Sequence, residues 1–144
     1  MPKTSINVGC ALRAAQIYGA AMVSVCGDRS RFKYKRASTD TTKGYRHLPL
    51  VPTADLRSVT PFDCVPVAVD LLPDARSLVN YVHPERAFYI FGPEDGTLGK
   101  AVTDWCRDVV YVPTTGCMNL AACVNVVLYD RMAKQLRDEP CALP

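Results

Sequence analysis

Short apolar, β-branched runs separated by stretches of helical periodicity constrain this chain more than any other feature of its sequence. The alternation is that of an α/β domain on a mainly parallel, doubly wound sheet. Parallel strands need long crossovers, and with both faces covered they read as continuous apolar runs. Four runs qualify: Ala21 to Cys26, Cys64 to Val69, Ala87 to Phe91 and Val109 to Val112, the last stopped by Pro113. Leu48 to Val51 fits a brief edge strand, and Pro66 favours the start of its run or a sheet edge. Helical stretches are expected over residues 9 to 18, closed by Gly19, and over Asp74 to Tyr81, Leu98 to Trp105 and Met118 to Arg137. In the first, Leu12 and Ala15 fall on the buried face, with Tyr18 a further candidate. In the last, Lys134 and Arg137 complement the helix dipole. That helix is apolar on several sides in its first half, and a homodimer interface is the economical way to cover it.

The 144 residues are read as one domain, 1 to 144. No apolar run approaches the roughly 18 residues that span a bilayer, and Met1-Pro2-Lys3-Thr4-Ser5 leads into no secretory signal, so no membrane partner is expected and the cytoplasm is the expected location. Seven cysteines with no Cys-x-x-Cys pair, and only His47 and His83 beside them, argue for packed thiols and against a metal site. The net charge of +3 is too small to mark a nucleic-acid binder by itself. Its distribution says more. Residues 28 to 62 are polar and proline-punctuated, too long for a simple connection, and they begin with Arg29, Arg31, Lys33, Lys35 and Arg36 interleaved with Phe32 and Tyr34. Cations with aromatics suit phosphate contact and base stacking, although a solvated loop has the same composition.

Three segments carry chemistry, each at a strand end or presumed strand end, where open α/β sheets hold ligands. In Asn7-Val8-Gly9-Cys10-Ala11-Leu12-Arg13 an Asn-x-Gly turn opens a helix that projects an arginine. The glycine-rich loop Phe91-Gly92-Pro93-Glu94-Asp95-Gly96-Thr97-Leu98 carries two carboxylates. It is neither a Walker loop nor a Gly-x-Gly-x-x-Gly fingerprint, and its charges suit a cation or a hydroxyl-rich ligand better than a phosphate. In the third, Val112-Pro113-Thr114-Thr115-Gly116-Cys117-Met118-Asn119-Leu120, Asn119 falls in the first turn of the long helix, whose free N–H groups can meet a polar ligand. Taken singly, a capped helix with a surface arginine accounts for the first segment, a plain turn explains the second equally well, and Asn125 reads as a satisfied polar group in a helix interface.

In this order, Asn-x-Gly-x-x-x-Arg, Phe-Gly-Pro-Glu-x-Gly-x-Leu and Val-Pro-…-Asn-Leu-…-Leu-Tyr-Asp-Arg resemble the three motifs of SPOUT-superfamily methyltransferases of the SpoU, TrmH-like branch. The resemblance covers almost the whole chain. It implies a doubly wound α/β fold with a C-terminal trefoil knot, a homodimer, and S-adenosylmethionine held by Val69, Gly92, Pro93, Glu94, Val112, Pro113, Cys117, Met118 and Leu120. It assigns catalysis and site architecture to Asn7, Arg13, Glu94 and Asn119. Cys117 and Met118 stand where the family has serine and leucine, and the loop from Pro113 to Cys117 is shorter than in typical relatives. Such relatives place a short apolar strand before the Asn-x-Gly motif, whereas six residues precede Asn7 here, which leaves open whether the domain has that strand.

The implied reaction is 2′-O-methylation of an RNA ribose, with transfer RNA preferred to ribosomal RNA as substrate. Positioning the hydroxyl for in-line displacement supplies most of the catalysis. Arg13 would favour the developing alkoxide or grip the adjacent phosphate, while Asn7 and Glu94 hold the loop and the arginine, and Asn119 bonds cofactor or ribose. RNA contact falls to Arg29, Arg31, Lys33, Lys35, Arg36, Lys43 and Arg46. Two alternatives compete: a catalytically silent SPOUT-like RNA-binding protein, and an unrelated α/β nucleotide-binding module.

Overall fold

The computed structural model describes residues 5–27, 41, 43–93 and 96–138. Helix α1 (Ser5–Ile17) buries Val8, Leu12 and Ala15, one helical face, against Val25 and Leu48. Tyr18 stays partly exposed. The helix begins four residues earlier than the sequence suggests, so Asn7 and Gly9 lie within it and do not form a turn before it. Burial of Val8 one turn before Leu12 carries the helix through Gly9, offsetting the roughly 1 kcal/mol that a helical glycine costs. Gly19, at φ +70°, closes it as expected. The Ala20 N–H donates to Ala15 O (2.8 Å) and the Gly19 N–H to Gln16 O (3.2 Å), the paired bonds of a left-handed C-terminal cap.

Strand β1 (Val23–Cys26) pairs in parallel with β2 (Leu50–Thr53) in a two-stranded sheet. The edge strand expected from Leu48 starts two residues later, because Leu48 is drawn into the core under α1. A second, four-stranded sheet contains β3 (Val65–Val69), β4 (Arg76–Ser77), β5 (Ala87–Phe91) and β6 (Asp108–Tyr111), in the order β4-β6-β3-β5 and parallel throughout.

Pro66 lies in a central strand, against the expectation of an edge, and the hydrogen-bond ladder explains why. The Val65 N–H donates to Arg86 O on the β5 side and the Asp70 N–H to Val110 O on the β6 side, so the alternation turns the Pro66 nitrogen toward β6. There the ladder starts only at Val67, opposite Asp108, and no donor is missed. The helix expected over Asp74 to Tyr81 is replaced by β4 and a 3₁₀ turn (Leu78–Asn80). A two-turn helix has little stability of its own, whereas the edge of β6 captures Arg76 and Ser77 and the turn drops Leu78 and Tyr81 into the core. Helix α2 (Lys100–Thr103) is shorter than expected because Gly99 precedes it at φ +74°, outside the helical region.

Helix α3 (Leu120–Asp138) buries Ala121, Val124 and Val127, and Val127 completes the core formed by Val67, Val69, Leu78, Tyr81 and Val110. It also packs against α1. The Lys134 ammonium donates to Leu78 O (2.6 Å) and Tyr81 O (3.0 Å), so it fastens the helix to the 3₁₀ turn. Among the described residues no helix is long and apolar enough to cross a membrane.

Candidate functional site

Val69, Phe91 and Val110 lie side by side at the carboxyl end of the four-stranded sheet, so the loops that follow β3, β5 and β6 leave from one edge. Asp70 gathers them. Its N–H donates to Val110 O (3.0 Å), its Oδ1 accepts from the Leu71 N–H (2.8 Å), and its Oδ2 accepts from the Leu98 N–H (2.7 Å), across the glycine-rich loop. The sequence reading stopped at Val69 and missed Asp70. The available signal was a carboxylate immediately after a buried strand, at the end where such sheets bind ligands. Gly92 opens the glycine-rich loop. A β-carbon there would rest in ordinary van der Waals contact with Leu98 Cγ at 3.4 Å and lie 3.8 Å from Asp70 Oδ2, so Gly92 backs directly onto the Leu98–Asp70 contact.

Past β6, Val112 packs on the core, Pro113 and Cys117 are exposed, and Met118 and Leu120 are half-buried. The Thr114 hydroxyl donates to Gly116 O (2.8 Å) and fixes the intervening turn. Asn119 lies one residue before α3, not in its first turn, and caps it. Its Oδ1 accepts from the Ala121 N–H (2.9 Å) while its backbone oxygen accepts from the Cys123 N–H (2.9 Å). Its Nδ2 donates to Asn7 Oδ1 (3.3 Å), joining residues 112 positions apart. Arg13 lies farther along α1, about 9 Å on the helical rise. It is exposed and has no hydrogen bond or ion pair among the described residues. Asn125 is a satisfied polar group, its Nδ2 donating to Ala121 O (2.9 Å) within α3. Burial, with Asp70 nearby, pushes the Cys123 thiol up to about 11, so it stays protonated.

Glu94 lies outside the described residues, as do Arg29, Arg31, Lys33, Lys35 and Arg36. Arg46 and Lys43 are exposed, and the Arg46 guanidinium lies 5.8 Å from the Tyr45 ring centre. Among the described residues no cluster of histidine, cysteine and carboxylate side chains could hold a metal ion.

A second polar cluster, unmarked in the sequence, surrounds His83, whose side chain is 3% exposed. Its ring spans Tyr89 Oη (2.6 Å) and Asp130 Oδ2 (2.8 Å). The carboxylate requires a donor, so Nε2 carries the proton and Nδ1 accepts from the Tyr89 hydroxyl, which in turn accepts from Arg131 (3.2 Å). Burial lowers the His83 pKa against the opposing pull of Asp130, and burial raises that of Tyr89.

Loops leaving the carboxyl ends of adjacent parallel strands beside a capped helix N-terminus define an open-sheet α/β ligand-binding domain. Within that class the chain belongs to the SpoU rRNA Methylase family, whose family model matches residues 1–129. This sets aside the unrelated nucleotide-binding module. Solved structures share the fold. The SpoU methyltransferase AviRb from Streptomyces viridochromogenes superposes with a TM-score of 0.77 at 21% identity, over 94% of this chain and 57% of its own. An AdoMet-bound rRNA methyltransferase from Sinorhizobium meliloti gives 0.76 at 17% identity, over 92% and 53%. A structure described by the 2-OH methylation of C/U34 on tRNA gives 0.69 at 20% identity, over 93% and 86%. The chain thus spans less than two thirds of the length of the first two. No curated protein sequence matches it.

Proposed function

We propose that the chain is an S-adenosylmethionine-dependent RNA 2′-O-ribose methyltransferase that acts on transfer RNA in the cytoplasm as a homodimer. The observation that carries this reading is the Asn119–Asn7 hydrogen bond, which joins the first and third family motifs at the start of α3, beside the loops that Asp70 gathers. Transfer RNA is favoured because a relative concerned with tRNA methylation is covered over 86% of its own length by this chain. A knotted C-terminal segment belongs to the same proposal. Because β6 lies between β3 and β4, the link at residues 70–75 passes the end of β6, the arrangement a threaded tail requires.

The residues present fit the cofactor: a glycine without a side chain at the start of the loop after β5, the Asp70 carboxylate beside it, and main-chain groups from Val112 to Leu120 around a capped helix end. Val69, Gly92, Pro93, Glu94, Val112, Pro113, Cys117, Met118 and Leu120 would hold it. When bound, S-adenosylmethionine supplies an electrophilic methyl group. The chain's own contribution is geometric and electrostatic. Asn7 and Asn119 lock α1 to α3. Arg13, with its guanidinium exposed and unpaired among the described residues, stabilises the oxyanion that forms as the ribose hydroxyl loses its proton, or grips the neighbouring phosphate. Glu94 steadies the glycine-rich loop.

Mass spectrometry of nuclease-digested transfer RNA, after incubation with isotopically labelled cofactor, tests the reading. A labelled 2′-O-methyl nucleoside is expected, and label confined to bases overturns the ribose assignment. Cys117 and Met118, which depart from the family pattern, favour the silent alternative. Calorimetry separates the two readings, since a silent relative binds RNA without binding the cofactor.

A further inference from the structure

Asp108, 7% exposed at the start of β6, holds two guanidinium groups in place. Arg76 Nη1 lies 3.1 Å from Oδ1, while Arg107 Nε (3.0 Å) and the Tyr81 hydroxyl (3.1 Å) both donate to Oδ2. One buried carboxylate against two cations leaves a surplus positive charge. The two arginine side chains remain 70% and 57% exposed, so most of their N–H donors face outward. They do so into an open cleft of about 520 Å³, with Ser77 and Asn80 on its wall. A carboxylate that fixes two forks from beneath reduces the entropy lost when they grip an oxyanion, and a phosphate takes such a fork through paired hydrogen bonds.

The cleft's place in the fold selects the ligand. Strand β4 is the edge of its sheet, and Arg76 and Ser77 lie opposite Val110 and Tyr111, level with the loop that begins at Val112. Arg107 and Asp108 lie at the start of β6, whereas the candidate site lies past its carboxyl end. A polymer in that site reaches the cleft by running back along this edge, about 13 Å from Val112 to Asp108 at the rise of a strand. We propose that the Arg76–Arg107 cleft binds a backbone phosphate of the RNA substrate, an inference that rests on the RNA methyltransferase reading.

The test measures binding of fluorescent, unfractionated transfer RNA against salt, with phosphorus NMR of inorganic phosphate in parallel. For Arg76→Gln and for Asn80→Glu, the latter leaving the Asp108 pairs intact, the slope of log affinity against log salt should flatten by about 0.7 to 0.9, the loss of one phosphate contact. Affinity should fall several-fold near physiological salt, with cofactor binding and circular dichroism unchanged. Should Arg76→Gln unfold by exposing Asp108 to loss of its partner, Asn80→Glu decides alone. An unchanged RNA slope with phosphate line-broadening lost would assign the cleft to a free anion and overturn the proposal, and no change in either would reduce the cluster to an ion pair. Methyl transfer by the parent protein to the same RNA is scored separately. If it succeeds while the slopes stay equal, only the cleft assignment fails; if it fails, the enzymatic reading fails first.

Discussion

At the scale of single residues, Asn119 combines two roles that substitution can separate. Its oxygen caps α3 and its amide reaches Asn7. Asn119→Asp keeps an acceptor for the Ala121 N–H but offers no donor to Asn7 Oδ1, whereas Asn119→Ala loses both. The alanine variant should lose about 1 kcal/mol, the usual value of such a cap, and melt lower by about 2–5 °C. The aspartate variant should melt near the parent yet share the loss of methylation, and equal melting losses in the two would show that capping is not the stabilising part. Arg13 is the complementary case. It is exposed and without side-chain partners among the described residues, so Arg13→Ala costs the fold little. It should abolish methylation in the nucleoside assay while calorimetry finds cofactor affinity within a few fold, and full activity would remove Arg13 from the mechanism. Asp70 acts through the chain. Asp70→Ala strands the Leu98 N–H, and hydrogen exchange should accelerate across residues 96–99 while the strands keep their protection.

At the scale of elements, α3 is held to the sheet by His83 and its partners as well as by apolar packing, which gives the helix a pH dependence. The folded-state pKa of His83 lies below its ordinary value, chiefly through burial, so the unfolded chain binds the proton more readily. This contribution is fully present above the ordinary histidine range, and it is lost as pH falls through that range toward the folded value. Asp130, Arg131 and Lys134 all face the ring, and protonation would set an imidazolium beside the last two. Urea midpoints should therefore drop between about pH 8 and about pH 5, and His83→Gln should flatten that limb; a parallel decline in both would place the titration elsewhere. None of this was legible in the sequence, because Tyr89, His83 and Asp130 meet only after β5 and α3 have packed. What periodicity did reveal was whatever depends on local burial: Ala87–Phe91 to the residue, Val65–Val69 within one, and α3 within two. It failed where a neighbour overrode local preference, as when β6 drew Arg76 and Ser77 into a strand. At the site, the motifs gave Asn7 and Asn119, but Asp70 became visible only when the loops after β3 and β5 met on its carboxylate.

At the scale of the whole molecule, the question is what covers the surface that folding leaves apolar. On α3, Tyr129 and Leu136 are 56% and 61% exposed and seven residues apart, so they form one stripe along the helix. On α1, which packs against α3, Ile6 and Ile17 are 52% and 64% exposed. Two neighbouring helices with outward aliphatic and aromatic groups suit an isologous contact, in which the same patch meets itself across a two-fold axis. Such pairing would double the basic surface available to one RNA. The parent protein should sediment as a dimer at micromolar concentration. Leu136→Glu combined with Tyr129→Glu should sediment as a monomer with unchanged far-ultraviolet circular dichroism, because a charge on that stripe would have to be buried unpaired. Methylation should fall with the monomer fraction, and recover at protein concentrations that restore the dimer. A parent that sediments as a monomer, or a fully active monomeric variant, would mean that the stripe serves another partner and that one copy is sufficient for the chemistry.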